Sequence, residues 1–348
     1  MSKSKVYIII LNWNGWKDTI ECLESVLRLD YDNYRVIVCD NNSSDGSLEY
    51  IKAWAEGRLD VYLSQANPLR HLSFPPVVKP IPHRLYDRND AEKGGVEDDS
   101  NFAFILIQTG DNLGFAGGNN VGLRYALAKG NSDFVWLLNN DTVVSQSSLT
   151  ELVDRMARYP DAGMCGSLLI NYQQPDLIQA AGAEFDYYLA RGQHLLEGIP
   201  VTTPLIESDI IKRMDYVVGA SMLVRRIFLD KIGLFNEIYF LYFEEIDWAL
   251  RAKSFFNIAL SVNSHVYHKE GASIGRPKNN CYSLYYAQLN RLRFSYLYNR
   301  RNVPHVFLHV LGHACKAIVM GRFSMCFTSL RAAFNFVKTI ISIQGNLN

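Results

Sequence analysis

The chain has 348 residues, 48% of them hydrophobic and 20% charged, enough for one large globular domain or two smaller ones. Its 35 Lys and Arg balance 35 Asp and Glu, which excludes a general attraction to nucleic acid and requires any anion site to be local. Six scattered cysteines (22, 39, 165, 281, 315 and 326) form no CxxC pair and suggest no disulfide-rich framework, which fits a reducing, cytoplasmic compartment.

In chain order, VYIIIL (6–11) is a continuous, largely β-branched run, as expected of a strand covered on both faces. The apolar run ends at Asn12, too early for a secretory signal, and no uninterrupted apolar stretch of the chain is long enough to span a bilayer. NWNGW is a turn signal, and DTIECLESVLRL (18–29) has mostly helical apolar spacing. YRVIVCD (34–40) is a second buried strand. NNSSDGS (41–47) is a loop whose Ser43 and Asp45 are suited to cap the helix LEYIKAWAEG. This β-α-β-α start is the pattern of a parallel sheet in an α/β protein. Residues 64–101 break it with five of the eleven prolines and a mixed charge run, and read as an insertion or mobile excursion. FAFILIQ (102–108) is the third strand, GFAGGNNVGLRYALAKG (114–130) a Gly-rich turn feeding a helix, and FVWLL (134–138) the fourth strand.

Three polar clusters end these strands: Asn12-Trp13-Asn14, Asp40-Asn41-Asn42 and Asn139-Asn140-Asp141. Each alone reads as turn chemistry, because Asn and Asp side chains bond their own backbone. Together they lie where open α/β sheets bind ligands, at the carboxyl ends of the strands. Gly117 and Gly118 permit close backbone approach to a ligand or serve turn geometry. The segment is not a GxGxxG dinucleotide fingerprint.

The ordered set IIILNWNG, VIVCDNNSSDGS, DNLGFAGGNNVGL, VWLLNNDTVV, VVGASMLVRR and YFLYFEEIDWALRA resembles the family 2 glycosyltransferases of GT-A fold over roughly residues 5–300, in particular their bacterial rhamnosyltransferase-like members. The resemblance implies a 1–300 catalytic domain with a mainly parallel nucleotide-binding sheet, and a 301–348 helical tail. It implies transfer of a sugar from a nucleotide-diphospho-sugar, rhamnose from a dTDP donor first, to a glycan or lipid-linked acceptor in cell-wall or polysaccharide biosynthesis. The family's Asp-x-Asp maps onto Asn139-Asn140-Asp141. This leaves Asp141 as the direct ligand of Mg²⁺ or Mn²⁺ and Asn139 to bind nucleotide or a metal-bound water. A cation of this kind stabilises a departing diphosphate and needs few protein carboxylates. The resemblance also gives Asp40 to the base or ribose, Asn12 and Asn42 to the same pocket, and Gly117, Gly118, Asn119 and Asn120 to the neighbourhood of the nucleotide sugar.

In the second half, DYVVGASMLVRR (215–226) reads as a strand with a small-residue break at Gly219-Ala220-Ser221 that makes room for an acceptor. Glu244, Glu245 and Asp247 precede an amphipathic helix. They read either as helix-dipole acids or as a general base in a partly desolvated pocket. The family's Glu-Asp pair maps onto Glu244-Glu245, which makes Glu245 the base, with Glu244 and Asp247 as alternatives. His268, with Gly271 and Ser273, matches a family His that holds the metal or diphosphate, whereas His265 reads as structural. YYAQLNRLRF (285–294) resembles a family helix, with Leu289 where Arg is usual and Arg291 or Arg293 as substitutes. The tail 303–343 has mixed apolar and basic faces. His305, His309 and His313 share one helical face and read as packing or an interface rather than a metal site. Lys316, Arg322, Arg331 and Lys338 beside apolar residues read as an interfacial helix on the cytoplasmic face of an anionic membrane, or as a packing or homodimer surface. Two other readings stand beside the transferase: a sugar nucleotidyltransferase, whose Gly-rich, Arg-containing loop is missing from NWNGWKD, and a non-catalytic nucleotide- or glycan-binding relative.

Overall fold

The computed structural model describes residues 3–61, 63–96, 98, 101–270 and 280–345. Its first half comprises β1 (Val6–Asn12), α1 (Trp16–Val26), β2 (Tyr34–Asp40), α2 (Ser47–Ala55), α3 (Arg70–Ser73), β3 (His83–Asp87), α4 (Arg88–Glu92), β4 (Phe104–Gln108), α5 (Gly114–Lys129) and β5 (Phe134–Asn139). These five strands pair in parallel in the order β3-β4-β2-β1-β5. The chain continues through β6 (Thr142–Val144), α6 (Ser148–Arg158), β7 (Ala162–Asn171), β8 (Ile178–Ala180), β9 (Ala183–Asp186), β10 (Arg191–His194) and α7 (Glu207–Ile211). It ends with β11 (Ser221–Arg225), α8 (Arg226–Ile232), α9 (Glu244–Ala252), β12 (Asn257–His268), α10 (Cys281–Tyr298), α11 (Val303–Val319) and α12 (Phe323–Gly345). β11 extends the sheet antiparallel to both β5 and β7, β12 lies parallel to β7, and β6 closes the far edge. β9 and β10 form a separate hairpin.

The unbroken apolar runs of β1, β2 and β5 follow from burial on both faces. Val6, Ile8 and Ile10 enter one core layer with Leu23, Val36 and Trp136. Tyr7 and Ile9 enter the other with Ile37, Val121 and Leu137. Parallel register sets Asn12 opposite Asp40 and Leu11 opposite Asn139. The polar residues therefore meet at one edge, where the strand order reverses around β1, the usual ligand crevice of such sheets.

Three elements differ from the sequence reading. Residues 64–101, read without secondary structure, supply the edge strand β3, so FILIQ is the fourth strand rather than the third. Glu24 helps hold this segment: its carboxylate accepts from Val77 N at 2.8 Å and Lys79 Nζ at 3.2 Å, and also from Trp54 Nε1 at 2.9 Å. The strand expected over 215–226 is confined to Ser221–Arg225, which leaves Val218 and Gly219 in a loop. The acids expected before a helix form the first turn of α9 itself.

Candidate active site

The ends of β1 and β2 are tied to each other. Asn12 Nδ2 donates to Asp40 Oδ1 at 2.7 Å, and Asn12 Oδ1 accepts from Thr19 Oγ1 at 2.8 Å. Asp40 also accepts from Ser43 Oγ (2.7 Å), Ser43 N (3.2 Å) and Gln108 Nε2 (3.4 Å). Asn12 and Asp40 are both wholly buried. Four donors meet the Asp40 carboxylate, which anchors the ends of β1 and β2 to each other. Ser43, expected as a helix cap, instead links Asp40 to Asn12 and to Asn14 N. Asp45 does bond the first residue of α2, accepting from Ser47 N at 3.0 Å. Asn42 is exposed, with left-handed φ of 58°, a backbone role that suits Asn. Asn41, the middle residue of the second polar cluster, fastens β2 to the start of α5: its Oδ1 accepts from Leu113 N at 3.0 Å and its Nδ2 donates to Gly114 O at 3.1 Å.

Gly117 and Gly118 belong to α5 and serve packing rather than ligand approach. A Cβ at Gly118 would lie 2.5 Å from Leu11 Cδ1, and one at Gly117 would lie 2.7 Å from Leu113 Cβ. Gly118 lets α5 press on β1, whereas Gly117 makes room for Leu113 at the helix's own start. Asn119 donates to Phe115 O, and Asn120 is bound to Phe235 N, Phe235 O and Glu237. Both are buried structural groups outside the cavity described below.

The Asn139-Asn140-Asp141 cluster divides by side. Asn140 turns toward α1, donating to Thr19 Oγ1 at 3.0 Å and Gly15 O at 3.4 Å. Asn139 and Asp141 turn toward His268 at the end of β12: His268 Nε2 lies 3.2 Å from Asp141 Oδ1 and 3.5 Å from Asn139 Nδ2. His268 Nδ1 meets Gln179 Oε1 at 2.9 Å, while Gln179 Nε2 donates to Glu270 Oε2 at 3.0 Å. That chain orients the amide and places the imidazole proton on Nδ1, so Nε2 and the carboxylate face each other across a gap that a proton or a cation must fill. An oxygen and an imidazole nitrogen, with an amide alongside, suit a divalent ion that takes its remaining ligands from phosphate and water. No cluster of three or more His, Cys, Asp or Glu occurs among the described residues, so the protein's share of such a shell is small. Gly271 and Ser273 lie outside the described residues.

Asn139 and His268 line a cavity of ≈ 830 Å³ whose wall also includes Phe115, Gly219, Tyr242, Phe243, Glu244 and Glu245. Gly219 lies beside the Glu245 carboxylate: a Cβ there would sit 3.9 Å from Oε1, an ordinary contact. Tyr242 (φ 67°) and Phe243 (φ 77°) are both left-handed, a conformation costing non-glycine residues roughly 1–2 kcal/mol each. Asn290 on α10 holds this turn, donating to Leu241 O at 2.8 Å and Tyr242 O at 3.2 Å; Arg293 in turn donates to Asn290 Oδ1 at 3.1 Å. Strain maintained by surrounding contacts is common where a site is preorganised. It starts α9 so that Glu244 and Glu245 face the cavity.

Each of those glutamates keeps a buried Oε2 with no hydrogen-bond partner. Burial pushes Glu245 up to about 7 from its ordinary 4.5. Burial, then the Glu245 charge and Asp247, holds Glu244 well above the usual range. Asp247 behaves differently: it accepts from Arg251 Nε at 2.8 Å and Tyr298 OH at 2.6 Å and points away from the cavity. It is a structural acid, not an alternative base. Leu289 is core, Arg293 supports Asn290, and Arg291 lines the cavity. The three tail histidines do not converge: His305 packs on Tyr188, His309 meets Arg291, and His313 meets Ser329. Asn290, Gln179 and Glu270 were missed by the sequence reading. Asn290 alone carried a signal, through its place in the helix that resembled a family motif.

A mostly parallel sheet with polar strand ends, and a cavity that brings Asn139 and His268 together with the Glu244-Glu245 pair, define a transferase-like α/β protein of GT-A type. The chain belongs to glycosyl transferase family 2, whose sequence profile matches residues 7–68 and 92–228, more than half of its length. It is 28% identical over 149 residues to the low-salt glycan biosynthesis hexosyltransferase Agl10 of Haloferax volcanii, covering 42% of this chain and 45% of that protein. It is 27% identical over 188 residues to an N-acetylglucosaminyl-diphospho-decaprenol L-rhamnosyltransferase of Mycobacterium tuberculosis, covering 49% of this chain and 60% of the relative. These matches thus span about half the length of either relative. The fold is shared with the mannosyltransferase PcManGT of Pyrobaculum calidifontis, solved with GDP-Man and Mn²⁺, at TM-score 0.52 and 12% identity over 97% of this chain and 88% of that one.

Proposed function

We propose that the protein is an inverting glycosyltransferase that moves a sugar from a nucleotide-diphospho-sugar to a hydroxyl of a glycan or lipid-linked acceptor, with rhamnose the first sugar to try. The observation that carries this reading is the shared cavity: Glu244 and Glu245, each with one buried carboxylate oxygen that has no partner, line the same space as Asn139 and His268. Asp141 and His268 would hold Mg²⁺ or Mn²⁺, which when bound supplies positive charge against the departing diphosphate. Asn139 reaches the same end with an amide suited to a phosphate oxygen. Asn12 and Asp40 are positioning residues that fix the loops around the nucleotide. Glu245 accepts the acceptor hydroxyl's proton as that oxygen bonds to the anomeric carbon and the bond to the diphosphate breaks on the opposite side. Burial raises both carboxylates, and their mutual repulsion favours a state in which the pair shares one proton and one charge.

Calorimetry with UDP-, dTDP- and GDP-sugars, with and without Mg²⁺ or Mn²⁺, tests this reading. Metal-dependent binding of one donor, lost in Asp141→Ala, is the expected result. No binding of any nucleotide would sink the proposal, and binding without turnover would leave a non-catalytic relative.

The tail fits contact with an anionic membrane surface. Residues 271–348 contain ten Lys and Arg and no Asp or Glu. Val319, Phe323, Phe327 and Phe334 on α11 and α12 are 88%, 69%, 71% and 69% exposed, beside exposed Lys316, Arg322 and Arg331. No helix among the described residues is long and apolar enough to cross a membrane. Co-flotation with phosphatidylglycerol vesicles, lost in Phe323→Ser/Phe327→Ser, is expected. Loss of self-association in that variant, with no vesicle binding by the wild type, would make the surface a homodimer contact instead.

A further inference from the structure

The cavity has a second end. Its wall away from the sheet is built by β10, α10 and α11 and the turn into α12, which contribute Arg191, Arg291, His309, His313, Lys316 and Arg322. Two other poorly exposed cations have carboxylate partners: Lys269 sits 2.5 Å from both Asp18 and Glu21, and Arg155 is paired with Glu207; Arg225 and Arg293 are met by backbone and amide oxygens instead. Among the described residues, the four Lys and Arg of this wall have no ion pair. Arg291 is the central case. Its Nε donates to Leu189 O at 2.6 Å and its Nη1 to His309 Nδ1 at 3.2 Å, but its buried Nη2 has no partner. Since guanidinium only donates, His309 accepts at Nδ1 and is neutral. Burial and the Arg191 charge push Arg291 down to about 10, and burial with Arg291 lowers His309 and His313. A guanidinium with a buried idle donor, beside the Arg191 charge and only partly offset by Asp186, is unfavourable unless an anion completes it.

We infer that this end of the cavity is a subsite for a phosphoryl group carried by the acceptor, held by Arg291 with Arg191, Lys316 and Arg322. This assignment rests on the transferase reading and names the chemistry of its acceptor. A planar guanidinium fork with further cations suits a dianionic phosphate. The subsite lies on the carboxylate side of the cavity. Tyr216, whose hydroxyl is raised by burial and by Glu245, packs so closely on Gly192 beside Arg191 that a Cβ there would collide with the hydroxyl. The donor's end lies at the strand tips, with Asn139 and His268. An acceptor seated this way holds a phosphate among the cations and offers a hydroxyl to Glu245.

The test titrates the full chain with three probes: monomeric decyl phosphate, glucose 1-phosphate, and nucleoside diphosphates with Mn²⁺; decanol serves as control. Decyl phosphate is expected to bind in preference to decanol, and to weaken tenfold or more in Arg291→Gln and severalfold in Lys316→Gln and Arg322→Gln. Nucleoside diphosphate affinity is expected to stay within about twofold in all three. Lys316 and Arg322 are exposed, so those variants fold even if Arg291→Gln does not. Stronger binding of decyl phosphate than of glucose 1-phosphate points to a lipid-linked source, and equal binding to a phosphorylated soluble glycan; either supports the subsite. Phosphate binding that is absent, matched by decanol, or indifferent to all three substitutions overturns it. So does a parallel loss of nucleotide binding, which would give these cations to the donor. Failure of wild type to bind any nucleotide would count against the transferase reading alone.

Discussion

The two sides of the site treat their buried polar groups in opposite ways. At the tips of β1 and β2, Asn12, Asp40, Ser43 and Thr19 satisfy one another, and four donors meet the Asp40 carboxylate. In the wall of the cavity, Glu244, Glu245 and Arg291 each keep a buried polar atom with no partner. The first arrangement fixes shape, because a saturated network is costly to disturb. The second retains unmet hydrogen-bonding capacity, which costs stability and is useful only when a ligand or a transferred proton meets it. Buried carboxylates on the open side are raised toward neutrality, as a base working near pH 7 requires.

The largest expected effect comes from the open side. Glu245→Gln should lower kcat by about a thousandfold, since proton transfer to a positioned base contributes roughly 10²–10⁴-fold. Its pH dependence carries a sign that separates this role from a structural one. Because Glu245 is raised from 4.5 to about 7, the folded state binds that proton more tightly than the unfolded chain. The wild-type rate should therefore climb with pH to a plateau above about 7. The stability contributed by this group should be full below 4.5 and decline as pH rises through about 7. Thermal melts of Glu245→Gln should lose that part of the slope. Next in size, Asp141→Ala should weaken metal-dependent donor binding by about a hundredfold while leaving the melting temperature near wild type; undiminished binding would remove Asp141 from the donor's seat.

Smaller effects probe the scaffolding of each side. Asn290→Ala frees the carbonyls of Leu241 and Tyr242 and should cost about 1–3 kcal/mol of stability, with a kcat loss of about tenfold at little change in KM. An unchanged kcat would mean that the strained turn is held without it. Gly118→Ala places a Cβ against Leu11 and should destabilise by about 1–3 kcal/mol. Donor affinity of the folded protein should hardly move, whereas a large affinity loss at full stability would return this glycine to the ligand.

Much of the parallel half was legible because its strands are buried on both faces and therefore read as unbroken apolar runs. β3 was not: HRLYD is an edge strand with one fully buried side chain, Tyr86, amid prolines and charges. The glycines of α5 misled for a related reason, since a helix lying close on a sheet and a backbone lying close on a ligand both exclude a Cβ. Glu245, Asp141 and His268 could be singled out by motif. The partners that orient them could not: Gln179 reaches His268 from β8 and Asn290 reaches Tyr242 from α10, 89 and 48 residues away in sequence. Asp247 sits in the same acidic motif as Glu245, and the ion pair with Arg251 and the hydrogen bond from Tyr298 separate their roles.

The division of labour between the two sides is tested most directly by measuring donor affinity in Glu245→Gln alongside its transfer rate. The account predicts a donor Kd within about twofold of wild type while transfer collapses. Equal losses of donor binding and transfer would place the carboxylates in the donor's seat and contradict the assignment of Glu245 to the acceptor's proton.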